Sequence, residues 1–130
     1  MKNAIGIDIV EISRLEKASK KWGGAFLKKV YTPRELAYSR SKRYPAQHLA
    51  ARFAAKEAIF KALGEVTRDF VGWKNIEILN DAAGKPVVYW HGEAEKVRKA
   101  KKIKGALVSL SHTENYAVAT AMLLFKKTAS

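Results

Sequence analysis

A carboxylate inside an apolar run is the first residue of this chain that demands a chemical explanation. Asp8 interrupts Ile5-Gly6-Ile7-Asp8-Ile9-Val10, where a charge is unfavourable unless a cation or several donors compensate it. With Glu11 three residues on, Asp8 also has the spacing of a cap for the following turn, so a structural role competes with a functional one. The second acid of interest is Glu57. In the run at residues 47–63 it shares a helical face with Ala50, Ala54 and Lys61, while Leu49, Phe53, Ile59, Phe60 and Leu63 take another side. Alanines let a strand approach closely, so Glu57 can lie near Asp8 if the first strand packs there. Two carboxylates brought together repel, and a hard divalent cation such as Mg²⁺ relieves the repulsion while leaving positions for phosphate oxygens and water. Glu57 and Lys61 also suit an ordinary i, i+4 ion pair on a helix surface. Arg52 and Lys56 are like charges at the same spacing and weaken the helix unless an anion lies beside them, as a bound phosphate would. His112 follows Val108-Ser109-Leu110-Ser111, where an imidazole can donate to an anion or accept a proton. His48 and His91 have no comparable setting.

The elements that must position these residues follow from periodicity and punctuation. Residues 4–10 have the β-branched, apolar pattern of a buried strand. Ser13-Arg14-Leu15-Glu16 fits a capping box, and Leu15, Ala18 and Trp22 form a core-facing stripe that Gly23-Gly24 should stop. Thr32-Pro33-Arg34-Glu35 starts a second helix, to about residue 41. The longest helix runs over residues 47–63, with Gly64 past its C-terminus. A loop at residues 65–74 leads to a hairpin of strands 75–79 and 87–90 around Asp81-Ala82-Ala83-Gly84-Lys85-Pro86. A basic helix at 93–104 and two strands at 106–111 and 116–124 complete the order. The fold class is α+β: one small domain over residues 1–130, with a mainly antiparallel sheet wrapped on one long helix.

Composition narrows the function classes. The 130 residues are 48% hydrophobic and contain no cysteine, which excludes a disulfide scaffold, a Cys-ligated metal and a thiol nucleophile. Neither a secretory signal nor a membrane span is expected, so the chain reads as soluble and cytoplasmic. Twenty-five Lys plus Arg against twelve Asp plus Glu give a formal charge of +13, which implies an anionic partner.

Four stretches, taken together, resemble one family. Gly6-Ile7-Asp8-Ile9-Val10-Glu11-Ile12 with Arg14, Arg52-Phe53-Ala54-Ala55-Lys56-Glu57-Ala58 with Lys61 and Gly64, Gly84-Lys85-Pro86, and Ser109-Leu110-Ser111-His112-Thr113 with Tyr116-Ala117 are similar to the holo-acyl-carrier-protein synthases. These are the small bacterial 4′-phosphopantetheinyl transferases. The resemblance implies transfer of phosphopantetheine from coenzyme A to a serine of apo acyl carrier protein, releasing adenosine 3′,5′-bisphosphate, in support of fatty acid biosynthesis. It implies that Asp8 and Glu57 hold Mg²⁺ and that Lys61 joins them as a catalytic residue at the phosphates. It further implies that Arg52, Lys61, Gly64, Pro86, His112 and Thr113 line the coenzyme A site. The family's homotrimer, with each site between two subunits, means that these residues need not converge within one chain. Glu65-Val66 departs from the Thr-Gly that often follows Gly64 in the family.

Residues 14–43 hold ten Lys or Arg and two Glu, a local net of +8. Arg14, Lys17 and Lys21, with Lys28 further on, are the surface expected to meet the acidic carrier protein. A basic nucleic-acid-binding module shares the charge, but gains nothing from Asp8 and Glu57 at apolar positions. A catalytically silent coenzyme A binder is the third reading. Neither nucleic acid nor a membrane is the expected partner.

Overall fold

The computed structural model describes residues 3–127, the Trp22 side chain excepted. Strand β1 (Ala4–Glu11) is covered on one face only. Ala4 and Gly6 point inward, while Ile5, Ile7 and Ile9 are 66%, 60% and 65% exposed, so the expected buried strand is an alternating one within the single chain. The structure next places helix α1 (Ile12–Val30), without the expected capping box: the Ser13 hydroxyl donates to the Glu11 carboxylate at 3.0 Å instead. Gly23-Gly24 interrupts the helix as its sequence expects, but a second helical stretch follows at once. Gly23 takes φ 61°, ψ −148°, a kink that glycine tolerates, and the helix resumes. Burial of Val30 and partial burial of Phe26 and Leu27 against the core give that continuation its reason. Leu15 is buried as the apolar stripe anticipates; the expectation for the Trp22 side chain lies outside the described residues.

Helix α2 (Pro33–Arg40) begins as its sequence predicts. Thr32 Oγ1 accepts from the Glu35 amide, and Glu35 returns the bond to the Thr32 amide, with proline at the first helical position. Helix α3 (Pro45–Leu63) is buried around most of its circumference rather than along one side. Strands β1 and β5 (Tyr116–Phe125) pack on it most heavily, and α1, α2 and further strands, among them β2 (Ile76–Asn80) of a second sheet, cover the rest. The first sheet has order β1-β5-β4, with β4 spanning Ile103–His112; the second is the hairpin of β2 and β3 (Pro86–Trp90), and every pairing is antiparallel. The residues joining α3 to β2 include a 3-10 turn at Trp73–Asn75.

Helix α4 (Gly92–Ala100) is shorter than expected because Lys102 takes φ 58°, and Ile103 is already paired with Phe125 in β4. A register shift between Ile103 and Gly105 marks a bulge near the start of that strand. Core side chains Ile59, Ile76, Ile78, Ile103 and Leu123 fill the space between α3 and the two sheets. Among the described residues no helix is long and apolar enough to cross a membrane.

Candidate active site

The alanine face of α3 seats β1. A Cβ on Gly6 would fall 1.9 Å from the Ala58 carbonyl oxygen, so strand and helix backbones are in direct contact there. Two residues along, Asp8 pairs in register with Ala119 and directs its carboxylate to α3. Lys61 Nζ donates to Asp8 Oδ1 at 3.1 Å and to the Ile7 carbonyl at 2.9 Å. The capping role is thereby set aside: no side chain caps α1, and the cation that compensates Asp8 is Lys61. Asp8 and Glu57 line one cleft of about 440 Å³ with Arg14, Leu15, Phe26 and Phe53. Burial, and then the Asp8 charge, push the Glu57 carboxyl above its ordinary range against the pull of Lys61. Two half-buried carboxylates therefore line one opening, and the Lys61 ammonium is paired with one of them, an arrangement suited to charge on phosphate oxygens.

The neighbouring pair of like charges has a different explanation from the one its spacing suggests. Lys56 is fully buried, and the anion beside it is Glu35 of α2, Nζ to Oε1 2.8 Å, not a phosphate. Arg52 is only 2% exposed. Its Nε donates to the Ile78 carbonyl at 3.1 Å, another nitrogen meets Asn80 Oδ1, and the guanidinium lies 4.1 Å from the Tyr38 ring centroid. Nearby, Glu77 of β2 accepts from Thr32 Oγ1 at 2.5 Å and from two nitrogens of Arg34, with His91 Nε2 at 3.0 Å. Burial alone would raise the Glu77 carboxyl, but these bonds outweigh it and take it down to about 2.

The family model of the 4′-phosphopantetheinyl transferase superfamily matches residues 4–121. The chain is 44% identical over 122 residues to the holo-[acyl-carrier-protein] synthase of Geotalea daltonii, covering 94% of this chain and 96% of that relative. The chain belongs to the holo-acyl-carrier-protein synthase family. Solved members agree in fold. The synthase of Neisseria meningitidis superposes with a TM-score of 0.84 at 37% identity, covering 92% of this chain and 96% of the other. The Helicobacter pylori synthase in complex with coenzyme A gives 0.79 at 28% identity, covering 92% and 98%. Membership makes the chain an enzyme, a phosphopantetheinyl transferase acting on acyl carrier protein.

Within this synthase the remaining sequence-singled residues fall into separate places. Gly64 caps α3 at φ −57° and lines a second hollow with Thr67, Arg68 and Phe70. Pro86 opens β3 and borders a third, with Lys85, Arg98 and Lys104. His112, at the end of β4, has its ring centroid 6.1 Å from that of His48, which in turn lies 5.8 Å from Tyr38. Thr113 Oγ1 accepts from the Tyr116 amide at 3.1 Å. Sequence reasoning passed over His48 and Tyr38, because α3 and β4 bring His48 and His112 together only in three dimensions. Burial, followed by Arg52, His112 and Lys42, lowers the His48 pKa. His91, also passed over, bonds Glu77 as described. On α1, Arg14 reaches the cleft rim, and Lys17, Lys21 and Lys28 are exposed.

Proposed function

We propose that this chain transfers 4′-phosphopantetheine from coenzyme A to a serine of apo acyl carrier protein, in a Mg²⁺-dependent reaction that releases adenosine 3′,5′-bisphosphate and serves fatty acid biosynthesis in the cytoplasm. The meeting of Asp8 and Glu57 in one cleft, with Lys61 paired to Asp8, carries the reading. Complexes of relatives with coenzyme A support its substrate.

The donor set suits Mg²⁺. Asp8 and Glu57 offer hard oxygen atoms close enough for one to raise the other. Two carboxylates would hold the ion with positions left for phosphate and water. When bound, Mg²⁺ supplies Lewis-acid charge to pyrophosphate oxygens. Lys61, half-exposed at the cleft, adds positive charge beside the same oxygens. Glu57, or a water held at the cleft, accepts the serine proton ahead of His112, which packs with His48. Gly64, Pro86, His112 and Thr113 serve coenzyme A, the buried Arg52 supports that site from behind through Ile78 and Asn80 rather than as an anion contact, and the exposed Arg14, Lys17, Lys21 and Lys28 of α1 orient the acidic carrier.

Assembly belongs to the same reading. Ile5, Ile7, Ile9, Leu107 and Met122 leave an apolar face on the β1-β5-β4 sheet, and further copies of this chain in a homotrimer would cover it. Asp8 and Pro86 border separate cavities, which suits sites shared between subunits. Chromatographic measurement of adenosine 3′,5′-bisphosphate tests the proposal. Release requires both carrier and Mg²⁺ if it holds, and release without carrier would make the chain a coenzyme A hydrolase instead.

A further inference from the structure

One residue before Glu57, α3 carries a lysine that the proposed chemistry leaves unused. Lys56 is 0% exposed. Its three ammonium protons have three acceptors: Glu35 Oε1 at 2.8 Å, the Val30 carbonyl at 2.9 Å and the Trp73 carbonyl at 2.8 Å. Val30 ends α1, Glu35 lies in the first turn of α2, and Trp73 opens the 3-10 turn. One side chain thus fastens three segments to the helix that holds Glu57. Glu35 is equally committed, accepting from the Thr32 amide at 2.9 Å and the Ile78 amide at 2.8 Å.

The Trp73 contact leads back to the cleft. The Trp73 ring stacks on Phe53, with centroids 5.1 Å apart and planes at 18°, and meets Phe60 edge-on at 5.1 Å and 71°. Phe53 and Phe60 stand four residues before Glu57 and three after it, the spacing that puts them on its side of α3. Phe53 is itself part of the cleft wall with Asp8 and Glu57. Phe70 extends the wall, edge-on to both Phe60 and Trp73.

We infer that Lys56 is a positioning residue for the transfer reaction: through the Trp73 carbonyl it fixes the aromatic wall that brackets Glu57 and holds that side chain in its setting beside Asp8. The inference rests on the proposed roles of Asp8 and Glu57. A buried ion pair that only stabilises can be exchanged for a neutral pair of similar volume with little loss. A clamp on a carbonyl cannot, because the neutral partner has no proton for it.

Three variants are compared with the wild type for melting temperature, kcat, and KM for coenzyme A and for carrier. Lys56→Met strands the Glu35 charge and unfolds at lower temperature. Glu35→Gln/Lys56→Met removes both charges and recovers most of the melting temperature, yet its kcat stays about tenfold or more below wild type with both KM values within about twofold. Trp73→Leu leaves the Lys56–Glu35 pair in place, removes the ring, and shows the same kcat loss at unchanged KM. Recovery of wild-type kcat along with stability in the double variant overturns the inference. So does normal kcat in Trp73→Leu, which needs no repair of the ion pair to be read, or a loss in either variant confined to KM. A wild-type chain that transfers nothing condemns the assignment of Asp8 and Glu57 instead.

Discussion

Adding one methyl group at Gly6 tests whether the close approach of β1 and α3 is what brings the two carboxylates together. In Gly6→Ala the new Cβ meets Ala58 O at 1.9 Å, Ala58 C at 2.9 Å and Ala62 N at 3.0 Å, all backbone atoms. Ordinary contact begins near 3.4 Å, so the strand must rise by about 1.5 Å, the difference from 1.9 Å. Ala58 and Ala62 are buried in a helix, and β1 is paired with β5 from Ala4 to Glu11, so neither side yields locally. Overpacking of this kind costs about 1–3 kcal/mol, and rigid atoms on both sides put Gly6→Ala near the upper end. At roughly 3–5 °C per kcal/mol for a chain of this size, the melting temperature drops by about 10 °C or more. Asp8 moves with the strand. A misplacement on the order of 1 Å can reduce turnover about a hundredfold, which is the expected fall in kcat at temperatures where circular dichroism shows the variant folded. Gly105→Ala is the control, since nothing lies within 4 Å of a Cβ built there. Wild-type melting and wild-type turnover in Gly6→Ala would refute the seating of β1 on α3 as the origin of the site.

Asp8→Asn and Glu57→Gln each lower kcat by about two orders of magnitude or more while circular dichroism stays unchanged, and excess chelator reproduces the loss in wild type. Charge reversal at Arg14 and Lys17 raises KM for carrier and flattens its salt dependence, with KM for coenzyme A nearly constant. The Glu77 carboxyl sits at about 2 in the folded chain against an ordinary 4.5. Its contribution is therefore complete above about pH 4.5 and lost as pH falls towards 2, at most about 3 kcal/mol for a single group. Thermal melts from pH 6 to pH 2 decline less steeply in Glu77→Gln, and equal slopes would discount the network around Glu77. Light scattering at micromolar concentration gives a trimer, and an aspartate at Ile7 yields monomers of low activity; a fully active monomer contradicts assembly around the isoleucine face.

Much of the site was readable from sequence because its logic is local. Ala50, Ala54 and Glu57 recur along one helix, and its small side chains announce a close strand, although the approach of Gly6 itself falls on Ala58 and Ala62. Thr32-Pro33-Arg34-Glu35 likewise encodes its helix start within four residues. What the sequence concealed depends on distant partners. Arg52 and Lys56 look like an anion-seeking pair until β2 and α2 supply Ile78, Asn80 and Glu35. Gly23-Gly24 does break the helix, but the helical stretch beyond it is held by the burial of Val30, a tertiary effect. The end of α4 was placed too late because Lys102 adopts a left-handed conformation that favours glycine and that a lysine does not advertise. His48 and His112 meet across α3 and β4, beyond the reach of any local spacing.

The central claim is tested most directly by intact-protein mass spectrometry of an apo acyl carrier protein incubated with coenzyme A, Mg²⁺ and this chain. The carrier gains the mass of one phosphopantetheinyl group, at its acceptor serine, and gains it about a hundredfold more slowly or not at all when Glu57→Gln replaces the wild type. A carrier whose mass stays unchanged with the folded wild-type chain, or one modified equally well by Glu57→Gln, contradicts the account.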